Sequence, residues 1–123
     1  MVAEVRVRAA RGAIHVDEDS SDSVLSATQR LLAQMLERND VAADDIVTAF
    51  FTVTEDLRSA FPAEAARRMG LGGVPLLCAQ EIPVEGSMRG VIRVLLQFHT
   101  AREPAEVTHV YLDGAETLRD DLG

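Results

Sequence analysis

The sequence predicts an α+β domain in which five strands carry one long helix and one short helix. Three observations predict it. Five separate runs are rich in β-branched and apolar residues, and turn residues bound them. Between Val24 and Leu36 the apolar residues recur at spacings of three and four, the stripe of an amphipathic helix. A shorter helical stretch, AEAARRMG, opens behind Pro62 and stops at Gly70.

The first strand lies within Val2 to Val16, where Val5 and Val7 alternate with Arg6 and Arg8. Arg11-Gly12-Ala13 interrupts that alternation, and the glycine predicts a bulge or a close backbone approach. The acidic, serine-rich stretch Asp17 to Ser23 is a helix start, with Asp19, Ser20 or Ser21 as cap. Asn39 is the expected left-handed stop. Ile46 to Val53, IVTAFFTV, is too apolar for a half-exposed strand and is expected inside the sheet. In the short helix, Arg67 and Arg68 suit the C-terminal end and pair with Glu64. Leu76 to Thr100 reads as two strands joined by a tight connection through Glu85, Gly86, Ser87 and Met88. Glu81 and Arg93 would then stand opposite each other on one face. Val107 to Leu112 is the fifth strand, with His109 and Tyr111 on a common face, and the tail DGAETLRDDLG is polar apart from Leu118.

A chain of 123 residues fits one domain that buries roughly two-thirds of its unfolded surface. The net charge of −8 argues against general nucleic-acid binding, which needs clustered cations. All 12 basic residues are arginine, so every cation is a planar fork suited to carboxylate or phosphate. The single Cys78 excludes an internal disulfide framework and suits a reducing cytoplasm. No cationic leader and no membrane-length apolar run occur, so a cytoplasmic protein with no membrane partner is expected.

Three scattered histidines and one cysteine lack metal-ligand spacing, so no metal is expected. Cys78 lies in an apolar strand, where inert thiols are the rule. What remains is Arg11, Arg67, Arg93 and Arg119, the carboxylate of Glu81, and Tyr111. Such a set suits a small polyanionic ligand carrying a hydroxyl, with any reaction resting on positioning and fixed charge. Burying a charge costs several kcal/mol unless it is paired or serves a ligand. Glu81 and Arg93 are therefore either a structural ion pair or a site, and the pattern alone leaves both open.

The segments RGAI (Arg11 to Ile14), TEDLRSAFPAEAAR (Thr54 to Arg67), VPLLCAQE (Val74 to Glu81), IRV (Ile92 to Val94), HVYL (His109 to Leu112) and LRDDL (Leu118 to Leu122) carry a resemblance. In order and spacing they resemble the small monofunctional chorismate mutases of the trimeric pseudo-α/β-barrel class. The resemblance implies a single domain over 1–123 built on a five-stranded mixed sheet, with 112–123 as a mobile C-terminal tail. It also implies a homotrimer with an active site between each pair of adjacent subunits. The implied reaction converts chorismate to prephenate without cofactor, metal or covalent intermediate, on the shikimate-pathway branch toward phenylalanine and tyrosine.

By the same resemblance, Arg93 donates to the ether oxygen, Glu81 accepts from the ring hydroxyl, and Arg11 and Tyr111 hold the enolpyruvyl carboxylate. Leu77 and Cys78 line the pocket, Phe61 and Ala63 supply an apolar wall across the interface, and Arg67 and Arg119 capture the dianion. Leu118 belongs with Arg119 on the substrate-binding tail. Two positions depart from the family pattern. Asp120 replaces a proline in LRPDL, which implies a looser tail and weaker capture. Glu64 stands where some relatives carry lysine and receives no binding role. The alternatives are a non-catalytic trimer that binds small carboxylates, or an enamine/imine deaminase of related trimeric fold.

Overall fold

A computed structural model of the protein describes the backbone of residues 4–122 and the side chains of residues 4–118. Five strands, β1 (Arg6–His15), β2 (Ile46–Val53), β3 (Leu76–Gln80), β4 (Val91–Thr100) and β5 (Val110–Leu112), form one sheet in the order β3-β2-β4-β1-β5. β4 runs antiparallel to both β1 and β2, while β2 with β3 and β1 with β5 are parallel, so the sheet is mixed. The helices α1 (Ser21–Arg38) and α2 (Pro62–Ala66) belong to the core on one face.

The period-2 pattern of the strands decides which side chains meet those helices. Ala10 and Ile14 of β1, Ala49 and Phe51 of β2, and Ile92, Val94, Leu96 and Phe98 of β4 are buried beneath them. From α1 the stripe Val24, Leu31, Leu32 and Met35 fills the other half of the core. Each large apolar side chain so buried contributes about 1.5–3 kcal/mol. Gly12 is where sheet and helix approach most closely, because a Cβ there would lie 2.5 Å from Met35 Sδ. The close approach is the reason for the glycine. β1 pairs with β4 in unbroken register, and the irregularity lies instead between Ile46 and Thr48 of β2.

Three expectations need correction. Leu76 to Thr100 is not a hairpin: β2 lies between β3 and β4, and residues 81–90 cross over the end of β2. Glu81 and Arg93 are therefore not direct cross-strand neighbours. Asn39 is not the left-handed stop, since its φ is −104° and Asp40 takes the positive φ of 53°. Asn39 is instead fully buried, with its amide donating to Met35 O and Thr108 O and its Oδ1 accepting from Thr108 N. Finally, β5 starts at Val110, so His109 stands just outside the strand.

The other caps follow the sequence. Ser20 Oγ accepts from Ser23 N to start α1, and Pro62 occupies the first turn of α2. Beyond α2 the chain makes a wider π-type turn, Arg67–Leu71, closed by Gly70 at φ 89°. The C-terminal segment Ala115–Leu122 is a 3-10 helix, and Ala115 and Leu118 pack with Ala13 and Val91 in a second small cluster.

Candidate active site

The face of the sheet turned away from the helices carries the charged residues. Leu77, Phe50, Leu95 and Arg11 form one cross-strand row; Ala79, Thr52, Arg93, Ala13 and Tyr111 form the next. Small residues stand on either side of Arg93, and that leaves room above the sheet. A cleft of about 330 Å3 results, lined by Arg11, Phe50, Thr52, Glu81, Arg93 and Tyr111 among others. Its walls mix apolar surface with a few convergent polar groups, the usual character of a small-molecule site.

Glu81 follows β3 directly and is fixed by its N–H donating to Val53 O at 2.8 Å. It shares the parity of Leu77 and Ala79, so its side chain rises on the open face and reaches over Thr52. There Glu81 Oε1 lies 3.1 Å from Arg93 Nε, with both side chains about one-third exposed. The two charges pair, but the N–H does not point at the oxygen: Arg93 Nε is buried and makes no hydrogen bond among the described residues. Opposition across a hairpin was the wrong route to this contact. Alternation along each strand was the right one.

The chain returning to Arg93 is held tightly. Gly90 donates to Asp56 Oδ2 and accepts from Val16 N, while Val91 N donates to Thr54 Oγ1. Gly90 has φ 69°, and a Cβ there would collide with the Val16 carbonyl oxygen, so only glycine suits. On the other side of the cleft, Arg11 N donates to His109 Nδ1 at 3.0 Å. The parallel ladder of β1 with β5 begins one residue later, at Gly12, and the imidazole takes the N–H that precedes it. Leu118 packs with Ala13 in the small cluster that Tyr111 borders, so it flanks the cleft on the same face of the sheet.

The remaining expected site residues lie apart from this cleft. Phe61 and Cys78 line a second groove of about 370 Å3 that shares no residue with the first. Its wall is tied to the segment just before α1, because Asp19 Oδ1 accepts from both Arg58 N and Ser59 N. Phe61 is 72% exposed and Leu77 58%, large apolar surfaces with no cover in a single chain. Ala63 is packed into the main core, and Arg67 is half-exposed and paired with Glu64 at 3.3 Å. The Arg119 side chain lies outside the described residues. Sequence reasoning missed Phe50, Thr52 and Leu95 in the cleft, and His109 behind Arg11. Period-2 alternation marks Phe50 and Thr52 as face partners, but only the sheet order shows that this face is Arg93's. Among the described residues no cluster of His, Cys, Asp or Glu is suited to a metal ion, and no helix is long and apolar enough to cross a membrane.

Comparison with known proteins agrees with this geometry. The profile of the family described as chorismate mutase type I matches residues 7–122. The chorismate mutase AroH of Thermus thermophilus is 51% identical over 117 residues, covering 94% of this chain and 96% of that protein. Its Bacillus subtilis counterpart is 36% identical over 117 residues, with 94% and 92% covered. A solved chorismate mutase from Clostridium thermocellum superposes with a TM-score of 0.88 at 44% identity, covering 89% of this chain and 98% of that one. Fold, cleft and sequence lead to one family: the chain belongs to the type I chorismate mutases.

Proposed function

We propose that the cleft around Arg93 is where this chorismate mutase, an isomerase, rearranges chorismate to prephenate. The Glu81–Arg93 pair above Thr52, flanked by Arg11 and Tyr111, is the observation that carries the assignment. The rearrangement is intramolecular: the ether C–O bond breaks ahead of C–C bond formation, and negative charge gathers on the ether oxygen. Arg93 donates to that oxygen and stabilises the transition state more than the ground state. Glu81 accepts from the ring hydroxyl, and Arg11 with Tyr111 holds the enolpyruvyl carboxylate. Holding the compact conformer adds an orientational contribution.

The working form is a homotrimer in this reading. Phe61, Leu77, Phe50 and Leu95 leave apolar surface exposed on a single chain, and patches of that kind mark interfaces. The groove of Phe61 and Cys78 on one subunit then faces the Arg93 cleft of its neighbour and completes it, with Leu77, Ala63 and Arg67 along the seam. Arg119, on the tail at residues 112–123 of a single domain, helps to capture the dianion. The product serves phenylalanine and tyrosine synthesis in the cytoplasm, and no cofactor takes part.

The test mixes purified protein with chorismate, follows its ultraviolet absorbance, and measures particle size at the same concentration. Accelerated loss by a trimer is expected. Tight binding without accelerated loss would indicate a carboxylate-binding module instead, and active monomers would overturn the shared site.

A further inference from the structure

β2 carries two threonines and Thr54 follows it directly, and two of these three hydroxyls have partners. Thr48 Oγ1 donates to Pro75 O, and Thr54 Oγ1 accepts from Val91 N. The third, Thr52 Oγ1, is buried and has no hydrogen-bond partner among the described residues. Thr52 is the direct cross-strand partner of Arg93, whose Nε–H is also buried without a hydrogen bond. Two complementary polar atoms thus stand unsatisfied on paired residues at the floor of the cleft, beneath the point where Glu81 reaches across. A buried polar group left so is costly, and its retention calls for a use.

We propose that Thr52 is a positioning residue for Arg93, a reading that rests on the function proposed above. When Glu81 turns to the substrate hydroxyl, Arg93 Nε–H loses the charge beside it. The Thr52 hydroxyl then accepts that N–H and aims the outer nitrogens of the guanidinium at the ether oxygen. A hydroxyl accepts and donates at once, so its own hydrogen can serve Glu81 from below. Before substrate binds, Thr52 stays unsatisfied, so the bond is made only in the working geometry.

Thr52→Val and Thr52→Ser test this, read by steady-state kinetics and thermal melting of the purified enzyme. Because a hydrogen bond to a charged group is at stake, Thr52→Val should lower kcat about 10- to 30-fold with KM changed by less than about twofold. Its melting temperature should stay level or rise, since valine removes a buried unpartnered hydroxyl and suits a strand. Thr52→Ser should keep kcat near the wild-type value. Unchanged kcat in Thr52→Val overturns the proposal. So does a fall in kcat accompanied by a lower melting temperature, or a serine variant as slow as the valine one. Wild-type protein that fails to accelerate chorismate loss would instead overturn the functional reading itself.

Discussion

Glu81 and Arg93 stand 3.1 Å apart although the strands leading to them are separated by β2. The contact spans a whole strand, and it forms because Thr52 beneath it is small. Its consequence is electrostatic. Each charge offsets the other before a ligand arrives, so neither is left alone in a partly buried cleft. On the proposed reading, substrate offering a hydroxyl to one and an ether oxygen to the other would take over both partners at once.

Replacing Glu81 by alanine should therefore harm turnover more than folding. The ring hydroxyl loses a charged acceptor, a bond of the class worth about 1.5–3 kcal/mol, so kcat/KM should fall roughly 10- to 100-fold. Circular dichroism and melting should stay near wild type. Steady-state kinetics beside a melting curve checks both.

His109 should act through Arg11. The variant His109→Phe leaves the Arg11 N–H without its 3.0 Å acceptor and loosens the backbone that carries the guanidinium. Because the ring is exposed, water replaces part of the loss, and KM should rise only about 3- to 10-fold with kcat little changed. An unaltered KM would show that Arg11 is held by the β1–β4 ladder alone.

Much of this arrangement was legible in the residues. The shared face of Glu81 and Arg93 was legible, and the 3.6-residue stripe located α1, whereas Arg11 joins that face although Arg11-Gly12-Ala13 reads as a break in the alternation. The order of the strands was not legible. A ten-residue connection from Glu81 to Gly90 permits either a hairpin or a crossover, and nothing local in it reveals that β2 intervenes. Asn39 misled for a related reason. Its residue type suggested a left-handed stop, yet its amide is committed to Thr108, far along the chain, and the turn passes to Asp40. The inner position of β2 was expected, but its apolar run hid that Phe50 is 39% exposed on the site face. An apolar run does not by itself separate core from exposed surface on the site face.

Asn39→Ala should be among the more destabilising single changes outside the site. It removes two side-chain hydrogen bonds between the end of α1 and Thr108 at the entry to β5 and one back to Met35 O within α1, and leaves Thr108 N without its acceptor. Loss of a buried network of this kind costs about 2–4 kcal/mol. Urea unfolding should show a lower midpoint with an unchanged slope.

Acid should weaken the tie between α1 and the turn after β5. Arg30 Nη1 donates to Asp113 Oδ2 at 2.6 Å, and that hydrogen bond holds the Asp113 carboxyl below its ordinary pKa. A folded pKa below the unfolded one means that stability is present above the ordinary value of about 3.9 and is lost as pH falls through the folded value. Asp113→Asn keeps the residue type that tolerates its φ of 55° but removes the charge. Both side chains are around half exposed, so the variant should lose less than about 1 kcal/mol near neutrality. Its stability should also fall less steeply than wild type below about pH 4, as denaturant titrations at several pH values would show.

The most direct test of the site is the rate of chorismate loss by Arg93→Ala beside wild type, followed by ultraviolet absorbance at saturating substrate. Removing the donor to the developing oxyanion should lower kcat by at least about 10²–10³, with the fold retained. Arg93→Lys should also fall well below wild type, because a point charge loses the planar fork. Near-normal turnover by Arg93→Ala would contradict the assignment of this cleft.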